Sequence, residues 1–353
     1  MNLLNSLKSK KFLAPWGLVF GWFLFGLLFS SSANAITLSP PIMEFGVQPG
    51  QKAEVEIKLY NESKDKPEVI YINTANFTAG DEPGVPMIDL EAPKEDISTW
   101  IKYPSGPITL EPEGRYSVPI TVEVPTTAYA GGHYGVVLFS NTPPEAKPEN
   151  GGQIAITSNI GVLMLVRVDG PEAKESAIIK SFTAKSGKKV FNRLPVDFTT
   201  EFQNTGNIHL KPIGGITITN LFKKISATIE FNTEKGYTLP GVARVYDKEV
   251  WQKAQVAQSQ GNFWNDFWTE YKNEKNNFAF GKYTAALEIK VGVQKPFNLS
   301  TTTQFWVLPY HLIIVWGLVI IILVIIIILL IQKYNRWIIN KSKKTESEPN
   351  PKL

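Results

Sequence analysis

The chain contains no cysteine among its 353 residues. That removes disulfide frameworks, thiolate metal sites, iron–sulfur ligation and cysteine nucleophiles together. Histidine is nearly as scarce: His133, His209 and His311 lie far apart, without the close spacing a histidine metal site on one element requires. Charge is also sparse at 19%, and the net +4 sits at the ends. Lys8, Lys10 and Lys11 open the chain; Lys333, Arg336, Lys341, Lys343, Lys344 and Lys352 close it against Glu346 and Glu348, which leaves the middle mildly acidic. A protein that neutralises phosphates needs a basic body, so nucleic acid is excluded as a leading partner. A hydrolytic enzyme is not expected, nor is a cofactor.

Hydrophobic residues make up 43% of the chain, enough at this length for two folded units. The first 35 residues follow the secretory plan: basic start, apolar stretch Trp16 to Phe29, then Ala33-Asn34-Ala35, after which cleavage is expected; an uncleaved anchor is the other reading. Leu312 to Ile331 is an apolar run of 20 residues. At ~1.5 Å per residue it would span the ~30 Å core of a bilayer. Trp306, Tyr310, Trp316, Tyr334 and Trp337 flank it, and the basic tail that follows points to the cytoplasm. The expectation is a single-pass protein of the cell membrane with its body outside, its tail, 333–353, in the cytoplasm and the lipid bilayer as one partner.

Between these ends the sequence alternates with period two. Ala53, Val55, Ile57 and Leu59 oppose Lys52, Glu54, Glu56 and Lys58, and the strand stops at the polar turn Asn61 to Pro67. Tyr116 to Val124 alternates again, Gly132-His133-Tyr134-Gly135 opens another strand, and Ile154 to Val168 is a long apolar one. The grammar repeats after Pro171: Val196 to Gln203 ends at Asn204-Thr205-Gly206-Asn207, and Gly281-Lys282-Tyr283 opens Thr284 to Val291. Two anchors in the same order, 143 and 149 positions on, predict tandem related units. The fold class expected is all-β: two Ig-like antiparallel sandwiches, 36–170 and 171–308 with an insertion at 251–280, followed by one helix at 309–332.

Several of these residues carry a family resemblance. Ile36-Thr37-Leu38-Ser39-Pro40-Pro41, Pro49-Gly50-Gln51, the Asn61 turn, Asp96 to Pro104, Leu110 to Gly114 and Ala130 to Gly135 are similar to the amino-terminal domain of WxL-interacting cell-surface proteins. The resemblance covers residues 36–170. It implies an Ig-like domain that engages peptidoglycan or a wall-associated protein, a second Ig-like domain, and a single helix with a basic tail.

The candidate ligand residues are Trp100, Tyr103 and His133. Trp100 and Tyr103 lie in the long connection 75–107, where an exposed ring could stack on a sugar or, alternatively, plug one edge of the sandwich. Tyr134 reads as core and His133 as facing the other way, either solvated or bonded to a ligand. Asp81, Glu82, Asp89, Glu91, Glu95 and Asp96 read as a solvated acidic loop; catalysis by a carboxylate pair and calcium are the sharper alternatives. Phe263, Trp264, Phe267, Trp268 and Tyr271 share one helical face. Strand direction puts that insertion where the last strand enters the apolar helix, so these residues, with Trp306 and Tyr310, are read as membrane-interface aromatics or as packing on their own domain. The functional expectation is a non-catalytic surface binding or scaffolding protein, with a structural subunit of an envelope membrane complex as the alternative. A pilus-type chaperone fits the fold but conflicts with an anchored chain.

Overall fold

The computed structural model describes residues 36–80, 84–143, 159–258 and 261–346. The expected leader, 1–35, and the carboxylates Asp81 and Glu82 lie outside them. Two tandem Ig-like β-sandwiches account for the body. In the first, one sheet is ordered β1 (Ile36–Ser39), β3 (Lys52–Asn61), β8 (Arg115–Glu123), β6 (Ile101–Lys102). The facing sheet is ordered β2 (Ile42–Val47), β10 (Asn159–Val168), β9 (Gly131–Ser140), β4 (Glu68–Ala79), β5 (Pro86–Ile88), with β7 (Ile108–Leu110) beside β4. The chain leaves the first sheet at Ser39 and joins the second at Ile42, where β2 runs parallel to β10. The second sandwich pairs β11 (Ala177–Ala184), β13 (Val196–Asn204) and β16 (Ala243–Trp251) against β12 (Val190–Phe191), β18 (Phe297–Val307), β17 (Gly281–Val291), β14 (Ile213–Asn220) and β15 (Ile225–Phe231).

Period-two alternation builds these cores. Ile57 and Leu59 of β3 face Val118, Ile120 and Val122 of β8 and, from the other sheet, Val137, Phe139, Val162 and Met164. Phe198, Phe202, Phe231 and Phe305 fill the second core and are fully buried. Burying each such side chain contributes about 1.5–3 kcal/mol.

Each sandwich also has a buried asparagine at the end of its alternating strand. Asn61 donates from Nδ2 to the carbonyls of Lys66, Leu110 and Glu111 and accepts from the Ser63 N–H. Asn204 donates to Ile208 and Thr238 and accepts from the Gly206 N–H. The repeat is a repeat of turn chemistry: a short amide satisfies buried carbonyls that no ladder reaches.

Two helices complete the chain beyond α1 (Ile97–Trp100), a single turn in the long connection. The insertion forms α2 (Phe263–Asn276), capped by the Asn262 side chain on the Trp264 N–H. It is pinned to its domain by a bidentate Arg193–Glu270 pair and by Asn273 and Asn277, which hold residues 254–257. The last helix, α3 (Tyr310–Glu346), is long and apolar enough to cross a membrane by length and composition.

Candidate functional site

The sequence-selected residues fall into two groups. Trp100 is 7% exposed and belongs to the first core, because α1 turns Ile97 and Trp100 inward together. Tyr103 packs half-buried against the same core. His133 is fully buried, which corrects the expectation that it faces away from the core. Its Nδ1 lies 2.7 Å from Asp96 Oδ1 and its Nε2 3.0 Å from the Tyr129 carbonyl, and its ring packs at a tilt between Trp100 and Tyr129, with centroids at 4.5 and 4.2 Å. Tyr134 points to the opposite face, toward the second domain, with its ring edge-on to His209. Burial raises its phenol pKa. The trio therefore ties the long connection to β9, and Trp100 presents no open ring face to a sugar.

The aromatic group divides. Phe267 packs on His311 at 5.1 Å and Tyr271 on Trp268 at 5.5 Å, whereas Phe263, Trp264 and Trp268 remain exposed. Trp306 and Tyr310 are also exposed, at the same end of the second sandwich. The link between α2 and α3 is Glu274, which the sequence did not single out. It is fully buried, accepts from His311 Nδ1 at 2.7 Å and from the Leu312 N–H at 3.0 Å.

The joint between the sandwiches is a polar latch over an apolar floor. Glu44 of β2 accepts from His209 Nε2 at 3.2 Å, the Tyr237 hydroxyl at 2.7 Å and Lys211 Nζ at 3.3 Å. Its partners lie 165–193 positions away, so local pattern carried no trace of them. The His209 hydrogen bond, outweighing burial, and then the Tyr237 hydroxyl hold the Glu44 carboxyl down at about 2. A depressed carboxylate stabilises above its unfolded pKa, near 4.5, and loses that contribution as pH falls toward 2. With solvent screening the effect is on the order of 1–2 kcal/mol. The protection of the Gly132 amide relative to its intrinsic exchange rate, with its N–H donating to the Asn207 carbonyl across the joint, is expected to fall between pH 4.5 and 2, and Glu44→Gln to remove that pH step; an unchanged step in Glu44→Gln would assign it elsewhere.

A second feature lies on β10. β2 pairs only with Leu163–Val168, so along Asn159 to Val162 one edge of β10 has no strand beside it among the described residues. The Leu163 N–H points to the β2 side and donates to the Pro41 carbonyl. Alternation therefore aims the N–H and C=O of Gly161 and Asn159 at the open edge. Beside it is an apolar depression floored by Val136, Leu138 and Gly161 and walled by Pro41, Ile88 and Leu90.

No family model matches the chain, and no curated protein matches it. Among solved structures it is similar to the class 5 fimbriae chaperone CfaA, at 14% identity over 76% of this chain and 99% of that one, with a TM-score of 0.36. It is also similar to a chain of the Salmonella enterica SafA pilin in complex with the SafB chaperone, at 11% over 77% and 99% with a TM-score of 0.36. A third is the E. coli chaperone DraB, at 10% over 77% and 97% with a TM-score of 0.33.

At these identities the likeness concerns the two-sandwich fold, and it runs to fimbrial chaperones rather than to WxL-interacting cell-surface proteins. The family expectation is corrected accordingly. The residues that carried it are turn and core devices: Asn61 satisfies carbonyls, and Asp96, Trp100 and His133 close the long connection. Such devices specify a sandwich and no ligand. The remaining expectations are corrected with it: a surface scaffold and peptidoglycan or a wall-associated protein as partner, which the family implied, and a membrane-complex subunit, the lipid bilayer as partner and a single-pass cell-membrane location with a cytoplasmic tail, which were read from the apolar run and the basic tail. What stands for α3 is its length and apolarity. The buried His133, His311 and Glu274 are committed to structural hydrogen bonds.

Proposed function

We propose that the protein is a non-catalytic module that captures an extended segment of a partner polypeptide on the open edge of β10, with 36–170 and 171–308 as its two folded units. The observation that carries this reading is the unprotected edge at Asn159–Val162. Exposed strand edges template pairing, and proteins blunt them with charge, proline, bulges or brevity. Five other edges of the fold carry such devices: Pro86 starts β5, Lys102 ends β6, β12 is two residues long, β11 is bulged near Lys180, and β16 carries Asp247, Lys248 and Glu249. Asn159-Ile160-Gly161-Val162 is short but has no charge, proline or bulge. An added strand would gain the free backbone groups of Asn159 and Gly161, and its side chains could enter the depression beside them. Trp100, Tyr103 and His133 serve this surface by fixing the connection behind it.

A pilin-type subunit is the partner class to try first, since SafB is solved with the SafA pilin. With a photocrosslinking residue at the exposed position 159 in the full chain, such a subunit is expected to crosslink through an extended segment. Asn159→Pro, which removes an edge N–H without touching the β9 ladder, is expected to weaken capture at least about tenfold while leaving stability within about 0.5 kcal/mol. Equal capture by Asn159→Pro would overturn the reading.

A further inference from the structure

We propose that the joint between the sandwiches holds a long-chain fatty acid, its carboxylate on Arg244 and its chain along the outer face of β10. The inference shares the depression beside β10 with strand capture but uses none of the backbone groups at Asn159 and Gly161, so Asn159→Pro and Arg244→Met test the two separately.

A cavity of about 210 Å³ opens between the domains, walled on one side by Phe77, Ala79 and Leu165 and on the other by Tyr237, Leu239 and Val242. Ile42, Pro86 and Leu163 line both this cavity and the depression beside β10, whose volume is about 510 Å³, so the two adjoin along these apolar side chains, and the groove comprises both. Its size and apolar lining suit a small ligand held by a few polar groups.

Those polar groups sit at one end. The Arg244 guanidinium lies in a slot between Gly84 of the first domain and Gly236 of the second; a Cβ on either glycine would approach its Nη2 to 2.6 Å. Tyr246 supports it from below, 5.2 Å from the ring centroid. Of its five N–H donors, one is given to the Tyr237 carbonyl, and no carboxylate among the described residues pairs with it. The neighbouring Glu234 is neutralised by Lys248 at 2.6 Å, and Lys235 adds a second positive charge at the rim. A guanidinium held in such a slot, without a carboxylate partner among the described residues, is shaped for a carboxylate.

The chain-like part of the ligand follows from what the groove omits. Along Leu163 and Leu165 the floor is β10 between β9 and β2, with its backbone groups already paired on both sides. A peptide laid there would find no hydrogen-bond partners for its own backbone, an omission that costs a peptide and not an alkyl chain.

The test uses the full chain and a 16-carbon fatty acid with a diazirine near its methyl end, with crosslinked peptides mapped by mass spectrometry and those of α3 as the apolar reference. Peptides containing Ile42, Ile88 and Leu163 are expected to label saturably, with palmitate competing at least about tenfold better than hexadecanol. Arg244→Met should abolish the difference between acid and alcohol, and Arg244→Lys should restore part of it. Ile42→Glu, at an exposed wall position, should reduce groove labelling at least about tenfold with melting unchanged. Groove labelling no greater than that of α3, equal competition by the alcohol, or displacement only by an apolar peptide would each overturn the proposal.

Discussion

Replacing Trp100 with alanine is expected to destabilise the first sandwich by about 3–5 kcal/mol, the range for truncating a large buried aromatic. The indole is packed in the core with Ile97 and Ile101, both 3% exposed or less, and lies tilted against the buried His133 ring. Its removal takes away the contacts that hold α1 inward, and with them the alignment of Asp96 toward His133 Nδ1. Water entering that space would compete for a hydrogen bond formed at 2.7 Å beside a fully buried ring. The loss should be confined to one domain. Amide exchange in β3, β8 and β9 is expected to accelerate while β13 and β17 keep their protection, because the domains have separate cores. Tyr103→Ala, at the half-buried margin, should cost less, about 1–2 kcal/mol. Stability of Trp100→Ala within about 0.5 kcal/mol of the parent would remove the indole from the set of core determinants.

His133 also shows where reading by sequence pattern succeeds and fails. Strands β3, β8, β13 and β17 were legible because one buried face imposes a period of two on the residues themselves. The parity of β9 was not, because the repeat was aligned one residue off. Matching Gly132 to Gly281 makes Tyr134 the counterpart of Tyr283 and sends it inward. In the structure the glycine with positive φ that opens β9 is Gly131, at 151°, matching Gly281 at 104°. His133 therefore takes the inward place of Tyr283. Both inward side chains reach back to the backbone just upstream: Tyr283 Oη to Phe280, and His133 Nε2 to the Tyr129 carbonyl. One device closes the corner of each sandwich, with imidazole in one and phenol in the other. In the same way the amphipathic stripe of α2 was legible from its spacing, whereas the latch on Glu44 and the slot around Arg244 join segments far apart in sequence, which no local period reports.

Removing the Glu274 carboxylate is expected to have an effect of similar size at the other end of the molecule. Glu274 sits on α2 yet serves α3, where the first N–H groups of any helix lack partners. The Leu312 N–H is one of these, and Pro309, just ahead of the helix, offers no hydroxyl or carboxylate of its own. A fully buried carboxylate meets that N–H and His311 at once, and it lies at the helix end that favours negative charge. Glu274→Ala would leave two buried donors unmatched, a change in the class that costs about 3–5 kcal/mol when one member of a buried pair is removed. Glu274→Gln keeps the shape and one acceptor and should cost less, about 1–3 kcal/mol. The measurement is amide exchange at Leu312 and through α2 in the full chain, where Glu274→Ala is expected to speed exchange by about two orders of magnitude. A cycle with His311→Ala isolates the pair, since the second substitution should add little once the carboxylate is gone. Full additivity of the two would mean that Glu274 holds the α3 end through Leu312 alone, and unchanged protection in Glu274→Ala would mean that Phe267 against His311, at 5.1 Å, is the contact that fixes the start of the helix.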